Sequence, residues 1–255
     1  MGRPGGGLSG CRTMSLALKL ALSPLLVAQA MATRRRAPVL PEAAGPREGR
    51  LGRGRDAIRV LIAGDSSAAG VGVADQHLAL AGHLTRTLHR CAARPVVWSL
   101  HARSGLTTQQ VHALLRSAAL PRADVAVVVT GVNDVIGQIP SQRAVQHRAA
   151  LADWLLAEGL VAHVLFAPLP PVQHFPLLPQ PLRRVMGDDA RRHDDAMARW
   201  AATRSDVSHL AIAFDLSPEV MASDGFHPGE PVYRACGEAL AAHIAAMNFN
   251  QQTTP

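Results

Sequence analysis

From residue 57 onward the chain repeats one pattern, and that pattern leaves few folds open. Short apolar runs rich in Val, Leu and Ile alternate with stretches of helical length. The runs cover 58–63 (IRVLIA), 95–100 (PVVWSL), 124–130 (DVAVVVT), 161–167 (VAHVLFA) and 208–214 (SHLAIAF). The intervening helical stretches lie near 75–90, 107–119, 141–158 and 183–204, with a last one near 230–247. Runs this short and continuously apolar suit parallel strands buried on both faces. Strict strand–helix alternation predicts an α/β fold: a doubly wound, three-layer α/β/α sandwich around a parallel sheet of five strands.

Composition fits a single domain of this kind. Hydrophobic residues make up 48% of the 255 positions, enough for a sizeable core, while aromatics are only 4%. A stacking surface for single-stranded nucleic acid needs more aromatics than that. The formal net charge of +7 is uneven. Of 26 Lys/Arg and 19 Asp/Glu, residues 1–55 hold ten and two, leaving sixteen and seventeen beyond. The domain itself is nearly neutral and shows no basic stripe of the sort nucleic acid selects. Cys11, Cys91 and Cys236 are far apart, with no CxxC, and suggest neither a zinc site nor a disulfide framework.

Residues 1–56 read as a leader and linker ahead of a domain over 57–250. Residues 14–32 (MSLALKLALSPLLVAQAMA) are apolar apart from Lys19, and Arg34, Arg35 and Arg36 follow. Three readings stay open: an export signal cleaved after Ala28-Gln29-Ala30, a membrane-spanning or membrane-surface anchor, and a helix packed on the domain. Basic residues after the apolar run tend to hold that side in the cytoplasm. A cytoplasmic domain associated with a membrane through residues 14–36 is therefore expected, with export as the alternative. Residues 37–56, rich in Pro, Gly and charge, read as linker.

In an open α/β sheet, ligands bind beyond the carboxyl ends of the strands, at the switch point. After the first run comes Gly64-Asp65-Ser66-Ser67, after the second Arg103-Ser104-Gly105, and after the third Gly131-Val132-Asn133-Asp134. Beyond the fifth comes Asp224-Gly225-Phe226-His227. All four segments fall on one rim. In a flavodoxin-like order the first and third strands flank the switch point, which makes Ser66 and Asn133 neighbours. A serine hydroxyl is a poor nucleophile until a base takes its proton. His227 can be that base, and Asp224, three residues earlier, can hold its imidazole in the required tautomer. The backbone N–H groups of Ser66 and Gly105 and the side-chain amide of Asn133 are candidate oxyanion donors.

Taken singly, each segment has an ordinary explanation: a helix N-cap serine, an Asx turn, a surface turn. The GxSxG elbow of the α/β-hydrolases is absent. Asp189, His193, Asp194 and Asp195 have helical spacing that would suit a metal. They sit among Arg183, Arg184, Arg191 and Arg192, so a salt-bridged solvated helix face is expected, and no metal.

Together and in order, the four segments resemble the blocks of the SGNH/GDSL hydrolases. Gly64-Asp65-Ser66 matches their GDS block, and Gly105 in Ser104-Gly105-Leu106-Thr107 their second-block glycine. Gly131-Val132-Asn133-Asp134 matches GxND, and Asp224-Gly225-Phe226-His227 matches DxxH. The resemblance covers about residues 58–247. It implies a flavodoxin-like sandwich with a five-stranded parallel sheet, and a serine esterase that hydrolyses small-molecule carboxylic esters or thioesters through an acyl-enzyme, with no metal and no cofactor. The first block runs GDSSAAG where many members carry GDSLT or GDSIT, a change in strand-to-helix packing and not in the reacting atoms. A carbohydrate O-acetyl esterase with the same site, and a binding module that keeps the fold without catalysis, are the alternatives.

The segment after the fourth run is the candidate substrate pocket. Six prolines between 168 and 182 exclude a regular helix or an inner strand. The same segment carries Phe175, Leu177, Leu178 and Leu182, more apolar surface than a solvated loop needs. Phe175 and Leu178 are the candidate substrate-binding residues, the other reading being that these side chains cap the core.

Overall fold

The computed structural model describes residues 16–213 and 216–247. Its centre is a sheet of β1 (Glu48–Leu51), β2 (Ile58–Gly64), β3 (Val96–Ala102), β4 (Ala123–Val129), β5 (Val161–Phe166) and β6 (Val207–His209). The order across it is β1-β3-β2-β4-β5-β6. The five strands from β2 onward pair in parallel, and their order is the flavodoxin-like one that the resemblance implies.

The sheet has six strands, not five. The extra strand comes from within 37–56, the segment read as linker. Its sequence EGRL carries a glycine and two charges and so little strand signal. The open edge of β3 recruits it: Glu48 to Leu51 run antiparallel to Ser99 to Val96. An unpaired edge of N–H and C=O groups is a template for such pairing. At the other side, 208–214 is strand only at its start, because β6 ends at His209; Phe214 lies outside the described residues.

The helices of the domain are α3 (Ser66–Ala69), α4 (Leu80–Ala92), α5 (Thr108–Arg116), α6 (Val132–Ile136), α7 (Ser141–Ala157), α8 (Leu182–Ala201) and α9 (Glu230–Ala246). Side chains alternate across a strand, so β2 feeds two cores. Val60 and Ile62 face Leu84, Leu88, Leu240 and Ile244 of α4 and α9. Leu61 and Ala63 face Val111, Leu151 and Leu155 of α5 and α7. Burial on both faces is why the runs show no polar alternation. A third cluster, with Phe175, Leu178, Leu182, Met186, Leu216 and Met221, covers the carboxyl end of the sheet.

The leader forms α1 (Leu16–Ala21) and α2 (Ser23–Arg36); Met14, Ser15 and residues 1–13 lie outside the described residues. One side of it is packed. Lys19 Nζ pairs with Asp189 at 2.7 Å, Leu26 joins the third cluster, and Gln29 bonds the Gln180 carbonyl (2.7 Å) and the Leu182 N–H (3.2 Å). No described helix is long and apolar enough to cross a membrane.

Candidate active site

β2 ends where backbone crowding admits only glycine. A Cβ on Gly64 would come 2.2 Å from the Val129 carbonyl of the neighbouring strand. The chain then turns, and buried Asp65 caps α3 by accepting the Ser67 N–H at 3.1 Å. Ser66 becomes the first residue of α3, half-buried on the carboxyl rim.

The loop from Asp224 to His227 folds back on itself through Ala222 N–H to the His227 carbonyl (2.9 Å). Asp224 accepts the backbone N–H groups of Phe226 and His227, both at 2.9 Å, and its other oxygen lies 2.6 Å from His227 Nδ1. Burial raises the carboxyl's proton affinity, but the bonds from His227 and Phe226 outweigh it and hold Asp224 below the ordinary carboxylate range. With the Nδ1 hydrogen directed at Asp224, Nε2 is left to accept from Ser66 Oγ, 3.0 Å away. Ser66, His227 and Asp224, gathered from opposite ends of the domain, thus stand in one chain of hydrogen bonds.

Asn133 sits in α6, directly after β4, which pairs with β2. Its Nδ2 donates to Asp65 Oδ2 (3.3 Å) and to the Leu106 carbonyl (3.0 Å), tying the first and third blocks to the loop that follows β3. Gly105 is exposed in that loop, one residue before Leu106. Asp134, fully buried, accepts from the Thr108 N–H (2.9 Å) and hydroxyl (2.6 Å), which fixes the start of α5 against the same loop.

Beneath these loops lies a charge that was not singled out in the sequence. Arg148 of α7 is 1% exposed, with its guanidinium 3.8 Å from Asp134 and 3.2 Å from the Thr130 carbonyl that it donates to. Gly131 has a φ of +129°, which disfavours any side chain, and a Cβ there would also crowd the Arg148 guanidinium. The signal was present: Arg148 interrupts the buried stripe Ala144, Leu151, Ala152 and Leu155, and a buried arginine demands a buried carboxylate. Burial pushes Asp65 up to about 7, aided by Asp134 and opposed by the Ser67 N–H, His227 and Arg148. His193 corrects an expectation. It is 3% exposed, not on a solvated face, because α8 turns it inward; burial and Arg148 lower its proton affinity. Asp189 does keep its expected arginine partner, Arg192.

A cleft of about 700 Å³, its open mouth included, starts at Ser66, Asn133 and His227. Its walls are almost wholly apolar. Phe175 and Phe226 close one side, in edge contact at 5.1 Å between ring centres, and Phe226 meets His227 in the same way at 5.2 Å. Val232, Tyr233 and Cys236 of α9 line it further. Tyr233 donates to the Val71 carbonyl (2.6 Å), and burial pushes the Cys236 thiol up to about 12, so it stays protonated. Phe175 is among the residues lining the cleft. Leu178 and Gly105 are not among the residues lining the cleft; Leu178 is 4% exposed within the third cluster. The α9 residues went unnoticed in the sequence, although Val232 and Cys236 lie one turn apart on the helix that follows His227. Among the described residues no group of three metal-ligating side chains converges.

The family model of the GDSL-like lipase/acylhydrolase family matches residues 62–235. The chain belongs to that family. It is a carboxylic ester hydrolase of the GDSL type. Solved structures of a lipase and of esterases share its fold at low identity. A lipase from a goat rumen metagenome is 17% identical, with 74% of this chain and 97% of that one covered and a TM-score of 0.57. A putative arylesterase from Agrobacterium tumefaciens str. C58 is 21% identical (73% and 98% covered, TM-score 0.53). A catalytic mutant of an acetylxylan esterase from Geobacillus stearothermophilus is 17% identical (73% and 94% covered, TM-score 0.51). No curated protein sequence matches the chain.

Proposed function

We propose that the enzyme hydrolyses carboxylic esters of apolar acyl groups through an acyl-enzyme on Ser66. The observation that carries this is the line from Asp224 through His227 to Ser66, at 2.6 and 3.0 Å, opening on an apolar cleft. Ser66 Oγ attacks the ester carbonyl while His227 Nε2 takes its proton. The carbonyl oxygen gains the negative charge and is held by the Ser66 N–H and by Asn133 Nδ2, both at the mouth of the cleft; Gly105, exposed and outside the cleft lining, would have to move inward to add its own N–H. In the resting enzyme both hydrogens of the Asn133 amide are engaged, so the oxyanion competes with the longer bond, the one to Asp65. Collapse expels the alcohol, which takes the proton from His227. Water then repeats the sequence on the acyl-enzyme and releases the acid.

The apolar walls favour an acyl chain over a sugar. A carbohydrate O-acetyl esterase needs polar groups around the alcohol side, and the cleft offers few beyond Ser66, Ser67, Asn133 and His227. A fluorophosphonate probe is expected to label the wild type and to leave Ser66→Ala unlabelled. The variant should also lose activity on p-nitrophenyl esters by about a thousand-fold or more, with unchanged circular dichroism. Labelling retained in Ser66→Ala would move the nucleophile to another serine, with Ser67 the first to test.

A further inference from the structure

The described part of the chain exposes six large hydrophobic side chains, and five of them lie between residues 20 and 39: Leu20, Leu25, Val27, Met31 and Val39. On α1 and α2 they are not scattered. Leu22, Leu26, Gln29 and Thr33 turn toward the domain, at the one-turn spacing of a single helix face. Leu20, Val27 and Met31, exposed by 65%, 56% and 51%, occupy the opposite side with Pro24 and Ala28 between them. A globular helix reverses this arrangement and presents polar residues outward. The outer face ends in Arg34, Arg35 and Arg36, all exposed, and no ion pair engages them among the described residues.

We infer that this outer face is a docking surface for an anionic lipid bilayer. An apolar stripe continued by unpaired arginines is complementary to acyl chains beneath negatively charged headgroups. The helix offers such a surface only one side, because Leu26 and Gln29 hold the other against the domain, and no described helix is long and apolar enough to cross a membrane. The inner face decides what docking brings to the membrane. Gln29 bonds to Gln180 and Leu182, and Leu26 packs into the cluster that holds Phe175. The docking helix is thus fastened to the proline-rich segment that walls the cleft, and that segment is itself bonded to the catalytic loop through Leu177 N–H to the Gly225 carbonyl (3.0 Å). An enzyme held this way meets esters carried by membrane amphiphiles. This last step rests on the ester hydrolase reading; the docking itself does not.

The test is flotation of the full chain with phosphatidylcholine vesicles, with and without phosphatidylglycerol. The wild type is expected to float with the anionic vesicles and much less with the neutral ones. Val27→Glu with Met31→Glu should lower partitioning roughly a hundredfold or more. Each of Arg34, Arg35 and Arg36 changed to Gln should lower it about fivefold. Hydrolysis of soluble p-nitrophenyl acetate by these variants should match the wild type, which shows that they fold. Ser66→Ala should float like the wild type, separating docking from catalysis. Equal flotation with neutral and anionic vesicles, or flotation indifferent to the glutamates, would overturn the proposal. So would a wild-type dimer that fails to float and that the two glutamates dissociate, since the face would then bind a second copy.

Discussion

Replacing Arg148 by Met tests whether the buried charge under the loops is a structural requirement. The substitution keeps much of the side chain's length and removes its charge. It strands Asp134, which is fully buried, beside an apolar thioether. Removing one partner of a buried ion pair costs about 3–5 kcal/mol, because the remaining charge loses its compensation. Two features place this site at the lower end. The charges are 3.8 Å apart rather than in direct hydrogen-bond contact, and Asp134 keeps two bonds from Thr108. The expected loss is therefore about 3 kcal/mol. In a domain of this size that lowers Tm by about 6–12 °C. Thermal unfolding by circular dichroism measures it, with urea titration as a second estimate. Adding Asp134→Asn removes the stranded charge, so the double variant should be more stable than Arg148→Met alone. A loss below about 1 kcal/mol, or a double variant that simply sums two costs, would show that the pair is not what holds these groups in the core.

Other outcomes follow from the same geometry. With Asn133 in the proposed oxyanion role, Asn133→Ala should lower kcat by about 100- to 1,000-fold with little change in KM; a change confined to KM in steady-state kinetics would remove it from the oxyanion site. Asp65→Asn should flatten part of the pH dependence of stability. The folded pKa of Asp65 is raised to about 7, so its contribution is fully present below the unfolded carboxylate value and is lost as pH rises through about 7. Wild-type Tm should accordingly fall more between pH 5 and pH 8 than that of the variant (a span of about three units around the shifted value), and identical slopes would contradict the assignment. Phe175→Ala should change chain-length preference on p-nitrophenyl esters by about 1–3 kcal/mol. Leu178→Ala, buried away from the cleft, should instead cost about 2–5 kcal/mol of stability with the profile unchanged.

The sequence by itself determined the layer architecture and the rim on which the chemistry stands. Strands buried on both faces leave apolar runs, and the polar segments after them have nowhere to lie but the carboxyl edge. That is why Ser66, Asn133, Asp224 and His227 could be placed on one rim from the sequence. Other features depended on partners far along the chain. The sequence EGRL becomes β1 only because β3 leaves an open edge, and Arg148 has a function only because Asp134 is brought beneath the same loops. Leu178 and Phe175 look alike in a proline-rich segment, and the packing of α8 and the loop from Asp224 to His227 decides which reaches the cleft. The leader shows the division most directly. Its apolar composition is plain in the sequence, but a helix buries only the side that meets a surface. The tertiary structure alone decided that Leu26 and Gln29 face the domain while Val27 and Met31 are left outside.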